Sequence, residues 1–405
     1  MSKFLNICTG IDACCSHSFF NFTCVMLYDC MRIAFASDSA YPWFNGGIEK
    51  RRYIIMRKLA GEGHEVHCFM MHRKGMPGGG SFAYKGIRYH CVGEALGWQG
   101  MYRGGSRRRS IRMPLIFSLQ LFWKILPYRF DALDADSFPF LHLFPLFIYA
   151  KLRGVRFAIT WHEVWNAQFW KRYLSWFGII GYAVEWLSAR MADVHIANAS
   201  TTKRLLVSEL GVDPGKILVF PVAVDSEEIR KLGRKRHGKR DQFIVVSRLV
   251  GHKRVGLAIS AAAETKARLL IVGTGPDLEQ LKELADEVAP GRVVFESGLS
   301  TERLYRSMLE SRAMIMPSAR EGLSLVTIEA LSLGVPVVVA DTTSLPQEVK
   351  RMCVQASEKR LGSMLNDILR NSERYSERAM RLRGRVLAQF SSDNSGKIYE
   401  KVESA

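Results

Sequence analysis

From position 31 to the end of the chain, short apolar runs alternate with longer stretches in which apolar residues recur three and four positions apart. The first pattern suits strands buried on both faces and the second suits amphipathic helices, so the alternation predicts a mainly parallel sheet covered by helices. The opening unit reads as a strand at 33–36, a loop to Gly47, a helix at 48–62 closed by Gly63, and a strand at 65–70. A polar, Gly-rich turn at 75–81 leads to a strand at 86–92 and then to a Gly/Arg loop at 97–112. Beyond it come a helix at 115–126, strands at 132–135 and 157–161 flanking a helix at 140–152, a helix at 173–191, a strand at 194–197 and a capped helix after Asn198.

The rhythm breaks at 226–241, a polar and charged stretch without an apolar face, and starts again with strands at 243–247, 269–273, 293–297, 313–317 and 335–340. A chain of 405 residues also exceeds what one hydrophobic core usually supports. The expectation is an α/β protein of two Rossmann-like doubly wound parallel-sheet domains facing a cleft. Residues 31–225 form the first domain, 226–241 a linker, 242–388 the second, and 389–405 a C-terminal helix. Open sheets of this kind bind ligands at the carboxyl ends of their strands, where the strand order reverses.

Composition narrows the class. With 48% hydrophobic and 24% charged residues the chain suits a globular enzyme, and the apolar stretch 115–126 carries Ser118, Gln120 and Lys124 and is too short to span a bilayer. A formal net charge of +18 calls for a polyanionic partner: nucleic acid, an acidic lipid surface or a phosphorylated substrate. Cys8, Cys14, Cys15, Cys24 and Cys30 crowd the first thirty residues, and Cys68, Cys91 and Cys353 are spread over the body, which suits a reducing, cytoplasmic setting. The adjacent Cys14 and Cys15 lack zinc-site spacing. No basic-then-apolar leader pattern is present there, and Met31 directly precedes the first strand, so residues 1–30 read as an upstream extension with Met31 as the start.

Four segments carry candidate chemistry. Arg320-Glu321-Gly322-Leu323-Ser324-Leu325 follows a strand, and Glu329 lies one turn inside the helix that Leu323–Leu325 are expected to open. Unpaired N–H groups at such a helix start can hold anionic groups, while the two carboxylates can accept from sugar and ribose hydroxyls. Arg248 and Lys253 follow the strand at 243–247, where a guanidinium fork and an ammonium can share a diphosphate. Asn45-Gly46-Gly47-Ile48-Glu49 puts paired glycines before a helix, allowing close approach of backbone to phosphate. His162 and Glu163 end the strand at 157–161, followed by Trp165. Each has a bland alternative: solvated helix charges, surface cations, an ordinary turn, a satisfied core histidine.

The arrangement Pro317-Ser318-Ala319-Arg320-Glu321-Gly322 with Glu329-Ala330-Leu331, Gly334 and Pro336 resembles the EX7E motif of the GT4 family of retaining glycosyltransferases, which have the GT-B fold. The likeness runs over nearly everything from Met31 onward and is densest at 243–350. It implies donor-binding Gly46, Gly47, Leu323, Ser324, Leu325 and Glu329, the last on the nucleotide ribose, with Glu321 at the donor sugar. It also implies catalytic roles for His162, Arg248, Lys253 and Glu321, no metal, and no cofactor beyond a UDP- or GDP-linked sugar as donor substrate. Ser324 stands where many relatives have Gly. Gly273-Thr274-Gly275-Pro276 lacks the rest of a dinucleotide fingerprint and matches a turn that family members use without NAD. The terminal stretch 390–402 resembles the family helix that crosses back onto the first domain.

The expected activity is transfer of a hexose, with retention, from a nucleoside-diphosphate sugar to an acceptor hydroxyl on a lipid-linked or cell-surface glycan. Arg103, Arg107, Arg108, Arg109 and Arg112 make a basic loop suited to an anionic membrane surface on the cytoplasmic side, or else a solvated loop. A GT-B epimerase would convert a donor to its epimer with no acceptor. A nucleic-acid-binding protein would account for the charge, but no helix-turn-helix, zinc-finger or RNA-binding aromatic motif is present, and no nucleic-acid partner is expected.

Overall fold

The computed structural model describes residues 30–404 except 45, 74, 79, 95–111, 223, 233–241 and 320. The predicted extension at 1–29, the arginines 103, 107, 108 and 109, and the end of the predicted linker therefore lie outside the described residues.

Two sheets account for the strands. The first comprises Arg32–Ala36 (β1), Glu65–His72 (β2), Ser81–Tyr84 (β3), Ile87–Glu94 (β4), Ala132–Asp136 (β5), Arg156–Trp161 (β6), Val194–Ala197 (β7) and Ile217–Val219 (β8), in the order β3-β4-β2-β1-β5-β6-β7-β8. All its neighbours are parallel except the β3–β4 pair. The second comprises Gln242–Val246 (β9), Arg268–Val272 (β10), Val293–Glu296 (β11), Ala313–Met316 (β12), Val337–Ala340 (β13) and Val354–Ala356 (β14), all parallel in the order β11-β10-β9-β12-β13-β14. Helices pack on both faces, which is why runs such as Val337-Val338-Val339-Ala340 are apolar at every position. Strand order reverses between β1 and β5 in one sheet and between β9 and β12 in the other.

Several boundaries differ from the sequence expectation for local reasons. The single helix predicted at 173–191 is two helices, Ala167–Leu174 and Gly178–Ser188, because Ser175 takes a left-handed φ of 58° and a 3-10 turn follows. The helix predicted from 140 begins at Leu143, after Phe140 at φ 66°. The turn at 75–81 runs into the hairpin strand β3, and the three-residue strands β8 and β14 are too short to show a pattern. The stretch at 226–241 does have an apolar face at its start: Ser226–Leu232 is helical and Ile229 is buried.

The chain returns to the first sheet at its end. Val224 N–H donates to the Phe390 carbonyl and Ser392 N–H donates to the Val224 carbonyl, after which the helix Ser395–Glu403 puts Tyr399 and Val402 into the core beside Ile33 and Phe35. Tyr399 donates from its hydroxyl to Asp134 Oδ2 (2.5 Å), and Thr160 Oγ1 and Arg52 engage the same carboxylate. Asp134 thus ties the C-terminal helix, β6 and helix Gly47–Gly61 to β5.

Helix Gly47–Gly61 begins with Glu49 folded back on the glycine turn, so that a Cβ on Gly46 would stand 2.0 Å from the carboxylate. Ser39 Oγ donates to that carboxylate at 2.7 Å, and burial pushes its pKa up from 4.5 to about 7.

Two expectations follow for stability. Tyr399→Phe removes a buried donor from Asp134 and should cost about 1–3 kcal/mol in chemical denaturation, with no change in fold. Because Glu49 binds protons more tightly folded than unfolded, its contribution is complete below about pH 4.5 and is lost as pH rises to about 7. That loss amounts to about 3 kcal/mol. Glu49→Gln should therefore gain stability relative to the parent chain as pH rises from about 4.5 to about 7, read as the difference between the two denaturation midpoints across that range.

Candidate active site

Two loops meet at the reversal point of the second sheet. Beyond β9 the chain carries Arg248 and Lys253, and beyond β12 it carries Glu321. Lys253 Nζ donates to Glu321 Oε1 at 2.6 Å, both side chains being mostly buried. Backbone bonds fix the two loops: Ala319 N–H to the His252 carbonyl, Ser344 N–H to the Ala319 carbonyl and Glu321 N–H to the Ser344 carbonyl. Arg248 is exposed and makes no ion pair with any described residue, so its guanidinium is free to meet an anion.

The Gly-Thr-Gly-Pro turn after β10 supports this loop from below. A Cβ on Gly273 would stand 1.9 Å from the Ser247 carbonyl oxygen and one on Gly275 2.1 Å from that of Leu249, while Leu249 N–H donates to the Thr274 carbonyl. Those glycines permit close backbone packing under the cationic segment.

Opposite stands the end of β6. His162 Nε2 is 2.8 Å from Asp136 Oδ1, and Arg52 Nη2 donates to the same oxygen at 2.5 Å. Burial pushes the Asp136 carboxyl up, but Arg52 and His162 outweigh it and hold it below its ordinary value; burial lowers the His162 pKa and keeps the imidazole neutral at pH 7. Asn198 Nδ2 donates to the His162 carbonyl. Gly322 lies against this point, an added Cβ falling 3.2 Å from the His162 oxygen, so the Glu321–Gly322 turn and His162 face each other across a narrow gap.

The second carboxylate sits deeper. Helix Leu325–Ser332 holds Glu329 buried, and Lys50 Nζ donates to its Oε1 at 2.5 Å while the Tyr305 hydroxyl donates at 2.9 Å. Burial works to lower the Lys50 pKa, but Glu329 raises it further, so the ammonium is charged. Lys50 comes from the helix that follows Gly46 and Gly47, and an added Cβ on Gly47 would be 3.5 Å from Leu325 Cδ1. The glycine turn and the EX7E helix are therefore neighbours.

One sequence reading needs correction. Leu323 does not open the helix: its side chain is buried in the core, and the helix starts at Leu325. Ser324 caps that helix at φ 60°, ψ 76°, a conformation easier for Gly, with its hydroxyl 2.8 Å from Thr327 Oγ1. At the start of helix Gly47–Gly61 the Glu49 carboxylate folds back over Gly46 and accepts from Ser39. Sequence reading also missed Lys50, Tyr305, Arg52 and Asn198. For Lys50 a signal existed, since it lies one turn beyond the paired glycines; the others are joined only by folding.

This geometry agrees with what the chain is similar to. Residues 45–228 match the domain described as Glycosyltransferase Family 4, and residues 225–379 match Glycosyl transferases group 1. A GDP-mannose-dependent alpha-(1-6)-phosphatidylinositol monomannoside mannosyltransferase of Mycobacterium tuberculosis is 32% identical over 153 residues, covering 35% of this chain and 39% of that protein. The match thus spans about two fifths of that relative's length. Sucrose-phosphate synthase from Thermosynechococcus elongatus superposes with a TM-score of 0.74 at 17% identity, over 92% of this chain and 99% of that one. The Anabaena protein HepE, solved with UDP and glucose, superposes with a TM-score of 0.67 at 16% identity, over 93% of this chain and 100% of that one. From its fold and its two matched domains together, the chain belongs to the GT4 type of glycosyltransferases, with the GT-B fold.

Proposed function

We propose that this chain transfers a hexose, with retention of configuration, from a nucleoside-diphosphate sugar to a hydroxyl of a lipid-linked or cell-surface glycan. The observation that supports the reading is the Lys253–Glu321 pair, formed by the loops after β9 and β12, with the adjoining Gly322 turn set against His162 at the end of β6. Residues 242–388 would hold the donor and residues 31–225 the acceptor. The GDP-mannose in the name of the mycobacterial relative and the UDP solved with the Anabaena protein support either nucleotide.

In this reading Arg248 and Lys253 hold the diphosphate, joined by the N–H groups at the start of helix Leu325–Ser332, and Glu329 accepts from the ribose hydroxyls. Glu321 and His162 close on the sugar from opposite sides. The acceptor oxygen bonds to the anomeric carbon on the face that the diphosphate leaves. The carbon–oxygen bond to phosphate breaks with its electron pair going to the phosphate oxygen, and the acceptor proton passes to that diphosphate. Negative charge grows on the leaving group, and fixed cations beside it lower the barrier by favouring the transition state over the bound donor. Lys253 would exchange part of its contact with Glu321 for the diphosphate, which releases the carboxylate to the sugar. Cys68, Cys91 and Cys353 are buried free thiols, in keeping with work on the cytoplasmic side of a membrane.

A panel of UDP- and GDP-linked sugars, read by thermal shift, should find at least one that stabilises the chain. Lys253→Ala and Glu329→Ala should each weaken that stabilisation by about 10–100-fold in apparent affinity, the range for a lost charged hydrogen bond. Unchanged stabilisation in both variants would overturn the assignment.

A further inference from the structure

The helices Ala167–Leu174 and Gly178–Ser188 form a hairpin between β6 and β7, and it begins five residues after His162. Its interior is locked. Trp170 is buried between the arms, where Gly178 and Gly181 make room for it: an added Cβ would stand 2.6 Å from the Trp170 main chain at the first and 2.2 Å from its ring at the second. Glu185, 0% exposed, accepts from Trp165 N–H at 2.6 Å and from Trp170 Nε1 at 2.7 Å.

The exterior is the reverse of what a water-facing hairpin needs. Trp176 is 76% exposed and Ile179 75%, with Phe177, Ile180, Trp186 and Leu187 also exposed beside them. The Trp176 and Phe177 rings stack with centroids 3.7 Å apart. Lys171, Arg172 and Arg190 border this apolar surface, Arg190 lying over the Trp186 ring. From Ala167 to Arg190 the one acidic side chain is Glu185, and it is turned inward. The hairpin's own exposed face is therefore apolar and cationic.

Two further helices of the same layer repeat the pattern. Their buried residues share one core with Trp170, while Arg112–Ile125 exposes Leu115, Leu119 and Trp123 at successive turns and Leu143–Arg153 exposes Ile148 and Leu152 beside Lys151 and Arg153. Patches of this kind mark interaction sites on soluble folds, and aromatic rings with neighbouring cations suit the headgroup region of an acidic bilayer. Among the described residues no helix is long and apolar enough to cross a membrane, so such an element would lie in the plane of the interface.

We propose that the hairpin docks the protein on an anionic membrane surface, Trp176, Phe177, Ile179 and Ile180 entering the headgroup layer and Lys171, Arg172 and Arg190 meeting lipid phosphates. Because the hairpin leaves directly from the His162 end of β6, docking sets the mouth of the cleft at the bilayer. Resting on the proposed transferase activity, this makes the acceptor a membrane-embedded lipid whose headgroup hydroxyl reaches the cleft without leaving the membrane.

The test is co-sedimentation of the full chain with vesicles of phosphatidylglycerol and phosphatidylcholine, compared with pure phosphatidylcholine. The chain should bind the anionic vesicles preferentially. The double variant Trp176→Ser with Ile179→Ser should lose at least about tenfold in binding, as expected for two exposed side chains removed from a headgroup layer. Lys171→Glu with Arg172→Glu should abolish the preference for anionic lipid and its dependence on salt. Nucleotide-sugar stabilisation of both variants should match the parent chain, which shows that the fold and donor site are intact; failure of that stabilisation in the parent would count against the transferase reading and not against docking. No vesicle binding by the parent chain, equal binding by the variants, or a concentration-dependent dimer abolished by Trp176→Ser with Ile179→Ser would overturn the proposal, the last by making the patch a contact between two copies.

Discussion

Two ion pairs, Lys253 with Glu321 and Lys50 with Glu329, govern how the cleft is built. Each brings an ammonium and a carboxylate out of bulk water at 2.6 Å and 2.5 Å. Burying either charge alone would be costly, and removing one partner of a buried pair commonly destabilises by about 3–5 kcal/mol. The first pair ties two loops of the second sheet together. The second reaches from a helix of the first sheet to one of the second, so the relative placement of the lobes and the poise of Glu329 depend on the same contact. Tyr305 completes the environment of Glu329 and leaves its second oxygen for another donor.

The rest of the structure serves that placement. Parallel strands deliver Arg248, Lys253, Glu321 and His162 at their carboxyl ends, and the reversal of strand order opens a crevice where the loops diverge. Beneath them the Asp134–Asp136 segment binds Arg52, Thr160, Tyr399 and His162, so the orientation of His162 and the return of the C-terminal helix share one polar cluster. The hairpin that starts beyond His162 carries the same lobe outward to an apolar and cationic surface. His162, its Asp136 partner and the hairpin thus lie along one strand, β6, and its flanks.

Much of this was legible in the sequence. Strands buried on both faces announce themselves by uninterrupted apolar runs, and the candidate residues Arg248, Lys253, Glu321 and His162 stand directly after them. Short edge strands β8 and β14 carry no pattern in three residues, and Ser175 gives no sign in sequence that it will take a left-handed conformation. Leu323 was misplaced because an apolar residue beside a helix start can face the ligand or the core, and only packing decides. Ser324 was flagged for standing where relatives have Gly, and it does adopt a glycine-like φ. The partnership of Lys50 with Glu329 joins positions 279 apart, a pairing that no local spacing encodes. The exposed face of Gly178–Ser188 was hidden for the opposite reason: its apolar residues read as core until their exposure is seen.

The most direct measurement is a structure of the chain with a nucleoside-diphosphate sugar bound. The account predicts a diphosphate within hydrogen-bond reach of Arg248 and Lys253, a ribose on Glu329 and a sugar between Glu321 and His162. A nucleotide sugar seated elsewhere, with Lys253 still closed on Glu321 and Arg248 pointing away, would contradict it.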